Sequence, residues 1–520
     1  MGDNKDQAMA WYTKLAYGVG HFFNDLAASM WFTYLLIFLI EVIQFSGVEA
    51  GIILLVGQLA DGIATPVVGM LCDRRVNNAF IAKYGRRKTW HAGGTLLMTL
   101  TYPFIWNNCL GGDADRGALM VYYCFFSITV QFGWAMVQIS HLALIPDLTT
   151  LKKQRTELSS IRYAFTVIAN LSVYTVLFFV FDSDNCTDEG DGGNQTAIYN
   201  TEGTDFTTDL PTTIESNCSG LGPEDSSKFA TVSLVCLGIG LVFSLLFHLG
   251  VHEKPYTTNN NQECTNSETR SSAKKAMKKS EWFKEIPIYQ VAALYMATRL
   301  YVNMYQSYIV LYTQDTLDLP KNTVATVPFV MYCASFVTSF GMVFINGKIG
   351  SKATFTVGCL VGLSGCVWVA LDRSEQFNIW GIYLVASLLG IGGSTLLITS
   401  IAITADLIGD NDDSGAFVYG FMSFADKVSN GIAIMTIQSI GDKKPEGSNF
   451  YQMVLTYACG LPCLLGILVI ITMINRHINS RTNVKRKLRT NVKRKLISKD
   501  NRGQKKTNVK SKPMSKEKDE

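Results

Sequence analysis

The chain has 520 residues, of which 48% are hydrophobic and only 17% charged, against a soluble norm of about 25% charged. The net charge of +4 says little as a total, but the charges are unevenly placed: long runs carry almost none, while a few short loops and the C-terminal end carry most. This pattern excludes an ordinary soluble enzyme and indicates a polytopic membrane protein. The 12 cysteines show no paired CxxC spacing, so no zinc or thiol-redox site is expected.

In chain order, residues 1–14 ("MGDNKDQAMAWYTK") are polar and offer no small-residue cleavage site before a short apolar core. They read as a cytosolic N-terminus, and the first apolar segment as a retained helix. Twelve apolar spans follow, at about 15–40, 50–71, 90–110, 117–145, 160–181, 228–250, 288–313, 326–346, 353–371, 378–405, 415–440 and 450–474. Each is long enough to cross a bilayer, some with tilt. Residues 15–250 and 288–475 then form two six-helix bundles joined by a polar linker, 251–287, and equal halves of this kind suggest an internal repeat. The glycine-rich "GCLVG" of span nine and "GIGG" of span ten read as packing sites. Residues 476–520 are basic and repeat "RTNVKRKL", with no apolar face. They read as a disordered tail resting on anionic lipid headgroups, and nucleic acid is not an expected partner.

Lysine and arginine set the expected orientation. Arg74, Arg75, Lys83, Arg86, Arg87 and Lys88, then Lys152, Lys153 and Arg155, then Lys348 and Lys352, all fall in one set of loops. The rule that basic loops stay inside puts both termini in the cytosol. The loop 182–227 is then luminal or extracellular, and it carries three glycan acceptor sequons, at Asn185, Asn194 and Asn217. Cys186 and Cys218 share that loop, either as a disulfide or as two free thiols. Lys321 reads as an exposed loop position.

Inside this apolar frame lie charges that a bilayer makes expensive. Asp25 follows Asn24 about ten residues into span one, roughly 15 Å deep, and Asp61 lies at similar depth in span two. Span four aligns Gln131, Trp134, Gln138 and His141 on one helical face. Arg162 opens span five, Arg299 shares a face of span seven with Asn303 and Gln306, and span eleven holds Asp426, Lys427 and Asn430. Single polar groups such as His141, Gln306 and Asn430 often only join helices, and Asp426 beside Lys427 reads as a local pair. Asp25, Asp61, Arg299 and Lys427 together are better explained by a central polar cavity. Its first-half wall is acidic and its second-half wall basic, which suits a zwitterion; a neutral sugar also fits, because carboxylates accept from hydroxyls.

The segments "GMLCDRR" and "YGRRK" resemble the loop motif of the major facilitator superfamily between spans two and three. "DGIATPVVGMLCD" resembles the D-x-x-x-D-P-x-x-G pattern of its glycoside–pentoside–hexuronide:cation symporter family, with Asp25, Arg162 and Lys427 where that family carries an acid, an arginine and a lysine. The second acid of the span-two pattern is Thr65 here, which argues against sodium coupling. Longer stretches, among them "GHFFNDLAASMWFTYLL" and "SGAFVYGFMSFADKVSNGIAIMTIQS", resemble the domain-containing protein 12 family of the same superfamily. That family is associated with lysosomes, melanosomes and the import of cysteine from cytosol to lumen.

The resemblance implies an all-α fold of twelve transmembrane helices in two six-helix bundles, and secondary transport of cysteine or a similar zwitterion. Asp25 and Asp61 are expected to bind the ammonium or a coupling proton, Arg299 or Lys427 the carboxylate, and Gln138 and His141 to line the site. Asp73, Arg74 and Arg162 are expected at a cytosolic gate. No cofactor, metal or enzymatic activity is expected. The alternatives are a sugar:cation symporter and a membrane scaffold that retains the fold without transport. The expected location is a lysosome or melanosome-like organelle; the terminal "KEKDE" also fits a dilysine retrieval pattern, which leaves the endoplasmic reticulum open, as is the plasma membrane.

Overall fold

The bilayer interior supplies no water to backbone N–H and C=O groups, so a span must close its own hydrogen bonds as a helix. The computed structural model describes residues 9–73, 79–109, 114–149, 151–182, 220–253, 282–371, 374, 376–408, 415–445 and 449–476, and no strand occurs among them. The sequons at Asn185, Asn194 and Asn217, the cysteines 186 and 218, Arg74, Arg75, most of the linker and the basic tail lie outside the described residues, as does the side chain of Asp73.

The first crossing is composite. It comprises α1 (Trp11–Gly18), a 3-10 turn (Val19–His21), α2 (Phe22–Ile37) and a π turn (Phe38–Val42). Then come α3 (Gly47–Asp73), the short α4 (Ala79–Tyr84), α5 (Arg86–Ile105), α6 (Arg116–Leu148), α7 (Lys152–Asp182) and α8 (Ser226–Gly250). The second half holds α9 (Ile286–Leu311), α10 (Thr323–Ile349), α11 (Ser351–Leu371), α12 (Ile382–Ile408), α13 (Gly415–Gly441) and α14 (Phe450–Arg476). With α1 and α2 counted as one crossing, these are the twelve expected spans in two bundles of six.

Among the described residues, nine of the helical segments are long and apolar enough to cross a membrane by length and composition alone. The three that fall short are α5, α9 and α13. They carry Lys88 and His91, then Arg299, Asn303 and Gln306, then Asp426, Lys427 and Asn430. In these three the polar groups lower the mean hydropathy, whereas the first crossing, α3 and α6 carry buried polar groups and remain apolar enough. Lipid-facing stripes are apolar, as on α10, where Val337, Phe340 and Phe344 are exposed at helical spacing.

The described residues up to Gly466 pack as one compact unit, and those from Ile467 to Arg476 are grouped apart from it. Within the first unit, α3 and α6, α5 and α6, and α2 with α7 and α8 build the N-terminal half, while α10, α11 and α9 each pack on α12 in the other. The halves meet where α3 packs on α13, α2 on α9 and α7 on α10. Small residues allow the closest of these approaches: a Cβ on Gly51 of α3 would come 2.9 Å from Met435 Cα of α13.

Two ends of the N-terminal half cap each other. Gly85, at φ 111°, turns the chain into α5. The Glu253 carboxylate beyond α8 accepts the N–H groups of Arg87 and Lys88 at 2.9 and 3.1 Å, a negative charge at a helix N-terminus. Lys88 Nζ in turn donates to the His248 and Val251 carbonyls at the end of α8, at 2.9 and 2.6 Å. The "YGRRK" segment is thus a docking turn, and its Arg87 pairs with Asp147 at the end of α6, at 3.0 Å.

Ties between the halves cluster at the face opposite these basic loops, called here the acidic face. Lys321 Nζ pairs with Asp225 and Glu224 at 2.9 and 3.0 Å. The Asp442 carboxylate accepts the N–H groups of Gly47 and Val48 at 2.6 and 2.8 Å. Tyr34 donates to the Val324 carbonyl at 3.1 Å. Lys321 is therefore not the free loop position expected from the sequence. It joins α8's N-terminal turn to the α9–α10 loop, a pairing of residues 96 positions apart that no local pattern reveals.

Candidate functional site

Asp61, Lys427 and Arg299 each sit near the middle of their helices, α3, α13 and α9. A carboxylate or ammonium at that depth needs a partner. The Asp61 carboxylate is 6% exposed. It accepts from Thr65 Oγ1, one turn along its own helix, at 3.1 Å, and it forms an ion pair with Lys427 across the boundary between the halves. Thr65 thus supplies a hydroxyl donor where the symporter pattern supplies a second acid.

The basic wall expected in the second half already contains its own acid. Asp426, 3% exposed, takes Arg299 Nε at 3.1 Å and Asn430 Nδ2 at 2.5 Å. Its direct bonds do not include Lys427, because consecutive helical residues point about 100° apart: Lys427 pairs with Asp61 of α3 and Asp426 with Arg299 of α9, while Lys427 still acts on Asp426 electrostatically. Asp61 also acts electrostatically on Arg299 and on Asp426. The four side chains form one set of two acids and two bases, of which one acid comes from the first half and three members from the second.

Asp25 is held differently. It is also 6% exposed, but both partners belong to its own half: His21 Nδ1 at 2.9 Å, one turn before it, and Thr166 Oγ1 of α7 at 2.8 Å. Asn24 donates to the Trp134 carbonyl at 3.2 Å. Arg162, one turn before Thr166, lies close enough to Tyr17, His21 and His141 to act on each electrostatically. Its Nε is buried without a hydrogen-bond partner among the described residues.

The span-four residues divide. Gln138 Oε1 accepts from Trp134 Nε1 at 3.0 Å. His141 is fully buried, and its Nε2 lies 2.8 Å from the Tyr17 carbonyl while Tyr17 Oη donates back to the His141 carbonyl at 3.1 Å. That places His141 in the helix packing of its own half. Gln306 bonds the Tyr332 hydroxyl, Tyr332 lies against Tyr174 of the other half with ring centres 4.9 Å apart, and Ser307 donates to the Phe32 carbonyl at 2.8 Å. A polar aromatic layer therefore joins the halves beside the charge set.

Sequence reasoning missed His21 as the partner of Asp25, although the i, i+4 spacing was visible, and it missed Thr166 and the Arg299–Asp426 bond. Among the described residues no group of three or more His, Cys, Asp or Glu is placed to hold a metal ion.

Comparison with known proteins places this arrangement. Residues 16–480 match the sequence family described as MFS/sugar transport protein. The chain is 44% identical to human major facilitator superfamily domain-containing protein 12 over 431 residues, 82% of this chain and 84% of that one. It is 41% identical to the mouse protein of that name over 469 residues, 88% and 92% of the two chains. The structure is similar to the xylose transporter XylE of E. coli in a partially occluded inward-open conformation, with a TM-score of 0.59 at 12% identity, over 89% of this chain and 98% of that one. With twelve helices in two halves, charges buried between them and these relatives, the chain belongs to the MFS/sugar transport protein family of the major facilitator superfamily, together with domain-containing protein 12, and is a membrane transporter rather than an enzyme.

Proposed function

We infer that this transporter moves cysteine, or a similar small zwitterion, from the cytosol into the lumen of a lysosome or lysosome-related organelle by alternating access. The substrate class comes from the family resemblance, and the observation that carries it is the ion pair between Asp61 and Lys427 across the two halves. A zwitterion carries both charges needed to replace that pair: its ammonium takes Asp61 and its carboxylate takes Lys427. Binding then exchanges a direct tie between the halves for one bridged by substrate, which frees α3 and α13 to part. The exchange costs little, because each buried charge keeps a partner throughout. Arg299, steadied by Asp426, is the second anion-binding candidate, and Gln138, which accepts from Trp134 on α6, is the candidate polar lining from the first half.

The orientation follows from charge asymmetry, with the basic face in the cytosol. Glycans on Asn185, Asn194 or Asn217, together with protease access to the tail in sealed organelles, test it. A second reading, sugar transport, is favoured by one observation: all four charges are already paired, and a neutral polyol can bond paired charges without separating them. Labelled cysteine uptake into organelles from cells with and without the protein, with hexoses and other amino acids as competitors, separates the two. Competition by sugars alone would overturn the zwitterion reading.

A further inference from the structure

The outer side of the second half carries a slot of about 580 Å³ among α9, α13 and α14, within the size range of small-molecule sites. Ala433, Ile437 and Ile440 of α13 line one wall and Val454, Ala458 and Leu461 of α14 the other, while the buried Met304 of α9 forms the floor. Ile440 and Leu461 are exposed and belong to helices that cross the membrane, so the slot opens to lipid rather than to water. Its lining carries two polar side chains, Tyr457 and Thr436, and the Thr436 hydroxyl already donates to the Ile432 carbonyl of its own helix at 2.7 Å.

The slot has one polar end. At the acidic face Lys444 Nζ lies 5.7 Å from the centre of the Phe450 ring, which also lines the slot, and 4.5 Å from that of Tyr451. It is not a free cation: both oxygens of Asp315 accept from it, at 3.1 and 3.0 Å. Glu41 and Asp442 lie close enough to act on the same cluster, and Lys443 is exposed beside it. Three acids against two lysines repel a phosphate, whereas a neutral hydroxyl can donate to Asp315 and accept from Lys444 without parting them. From Phe450 to Leu461 the slot follows α14 for about 16 Å at 1.5 Å per residue, the depth of one leaflet of a hydrocarbon core about 30 Å thick. Its occupant is therefore long, apolar, neutral and tipped by a single polar group. A rigid body meets this description better than an acyl chain, since it has few internal rotations to lose on entering. The sequence agrees: Lys444, Phe450 and Val454 have the basic–aromatic–aliphatic spacing proposed for sterol contact. That spacing is frequent by chance, and it counts here because Phe450 and Val454 share the slot and Lys444 stands at its mouth.

We propose that this slot binds one membrane sterol from the leaflet at the acidic face, with its hydroxyl at the Lys444–Asp315 pair and its ring body between Ala433 and Ala458. The two alanines leave room for a flat ring system where larger side chains would fill the seam. α9 and α13 carry Arg299 and Lys427 toward the other half, and Leu300, the neighbour of Arg299, lines the slot from behind. A bound sterol therefore splints the two helices that hold the basic wall, on the side away from the charge set. The site needs only the membrane-spanning fold and holds whichever solute is carried.

The test uses the full-length protein in liposomes with a cholesterol that carries a photoreactive diazirine in its ring system, and maps the labelled peptides by mass spectrometry. Labelling is expected on the α13 and α14 segments that line the slot, and excess unlabelled cholesterol should abolish it. Ala458→Phe and Ala433→Phe fill the slot from opposite walls, and each is expected to lower labelling at least about fivefold. Two walls keep the test decisive where one variant folds poorly. Val337→Phe, on the lipid-facing stripe of α10, is the control and should change nothing. Labelling spread evenly over the lipid-facing helices, or unchanged in the folded slot variants, would reduce the slot to ordinary bilayer contact and overturn the proposal. Labelling that phosphatidylglycerol displaces and cholesterol does not would overturn it in favour of a phospholipid. Neither result bears on cysteine uptake, since no substrate is present.

Discussion

Asp25 and Asp61 are equally buried carboxylates in neighbouring helices of the same half, yet one is bonded inside its half and the other across the boundary. A partner in the same rigid body travels with the acid when the halves rock, so the His21 and Thr166 bonds of Asp25 persist through the cycle. A partner in the opposite body does not, so under the proposed alternating access the Asp61–Lys427 pair has to part when the halves separate. Burial alone therefore does not distinguish a coupling residue from a gating one; the ownership of the partner does. On the proposed reading Asp61 is the acid that meets substrate, whereas Asp25 keeps its partners within its own half.

The largest expected effect comes from Asp61. Asp61→Asn and Lys427→Ala should each lower cysteine uptake per delivered molecule by roughly ten- to a hundredfold, from the loss of about 1.5–3 kcal/mol of charge-assisted bonding. The double variant should be little worse than either single one, because both remove the same bridge. Near-normal uptake in both single variants would return Asp61 to a packing role. Asp25→Asn should separate two activities that Asp61→Asn abolishes together. Exchange of labelled for unlabelled cysteine at equal pH should stay within about twofold, while accumulation driven by a pH gradient falls about tenfold. Equal loss of both would erase the distinction between the two acids.

A smaller effect is expected at the acidic face. Lys321→Ala removes a tie between the halves worth about 1 kcal/mol, so the population open at that face should rise about fivefold, as read by labelling of an introduced cysteine. Burial by itself would lower the Lys321 pKa, but its bonds to Asp225 and Glu224 outweigh that and hold it above the usual 10.5. A lysine shifted upward stabilises the closed form below its ordinary pKa and loses that contribution only as pH rises through the shifted value. Acidification should therefore not release this tie while the two carboxylates stay ionised, and an opening rate that climbs between pH 7 and 6 would contradict it. The smallest expected effect is none: replacing sodium by potassium at constant pH should leave uptake unchanged, because Thr65 gives Asp61 a hydroxyl and not a second carboxylate.

Much of this was legible in the residues. A charge inside an apolar run is visible without any structure, so Asp25, Asp61, Arg299 and Lys427 stood out, as did twelve spans and the packing glycines, of which Gly362 and Gly392 do meet between α11 and α12. What did not show was who pairs with whom. Adjacency on paper joined Asp426 to Lys427, whereas the helical rotation sends them to different neighbours. The proximity of four histidines was hidden for a similar reason: they lie at positions 21, 91, 141 and 248 and become neighbours only when their helices pack. Lys321 read as a loop residue because ion pairs between loops leave no periodic trace.

The 3-10 turn at Val19–His21 has a consequence for how the molecule is made. Its tightened backbone presents the Tyr17 and Gly20 carbonyls sideways, and these are satisfied by His141 of α6 and His91 of α5. Gly20 cannot carry a side chain there, since a Cβ would lie 2.5 Å from Phe247 and 2.8 Å from His141. During synthesis the first segment reaches the bilayer before either histidine has been translated, with two carbonyls that lipid cannot solvate. The histidine bonds of this turn are therefore completed only once α5 and α6 have packed against it. A short irregularity at Val19–His21 thus ties the first crossing to two helices that follow it in the chain.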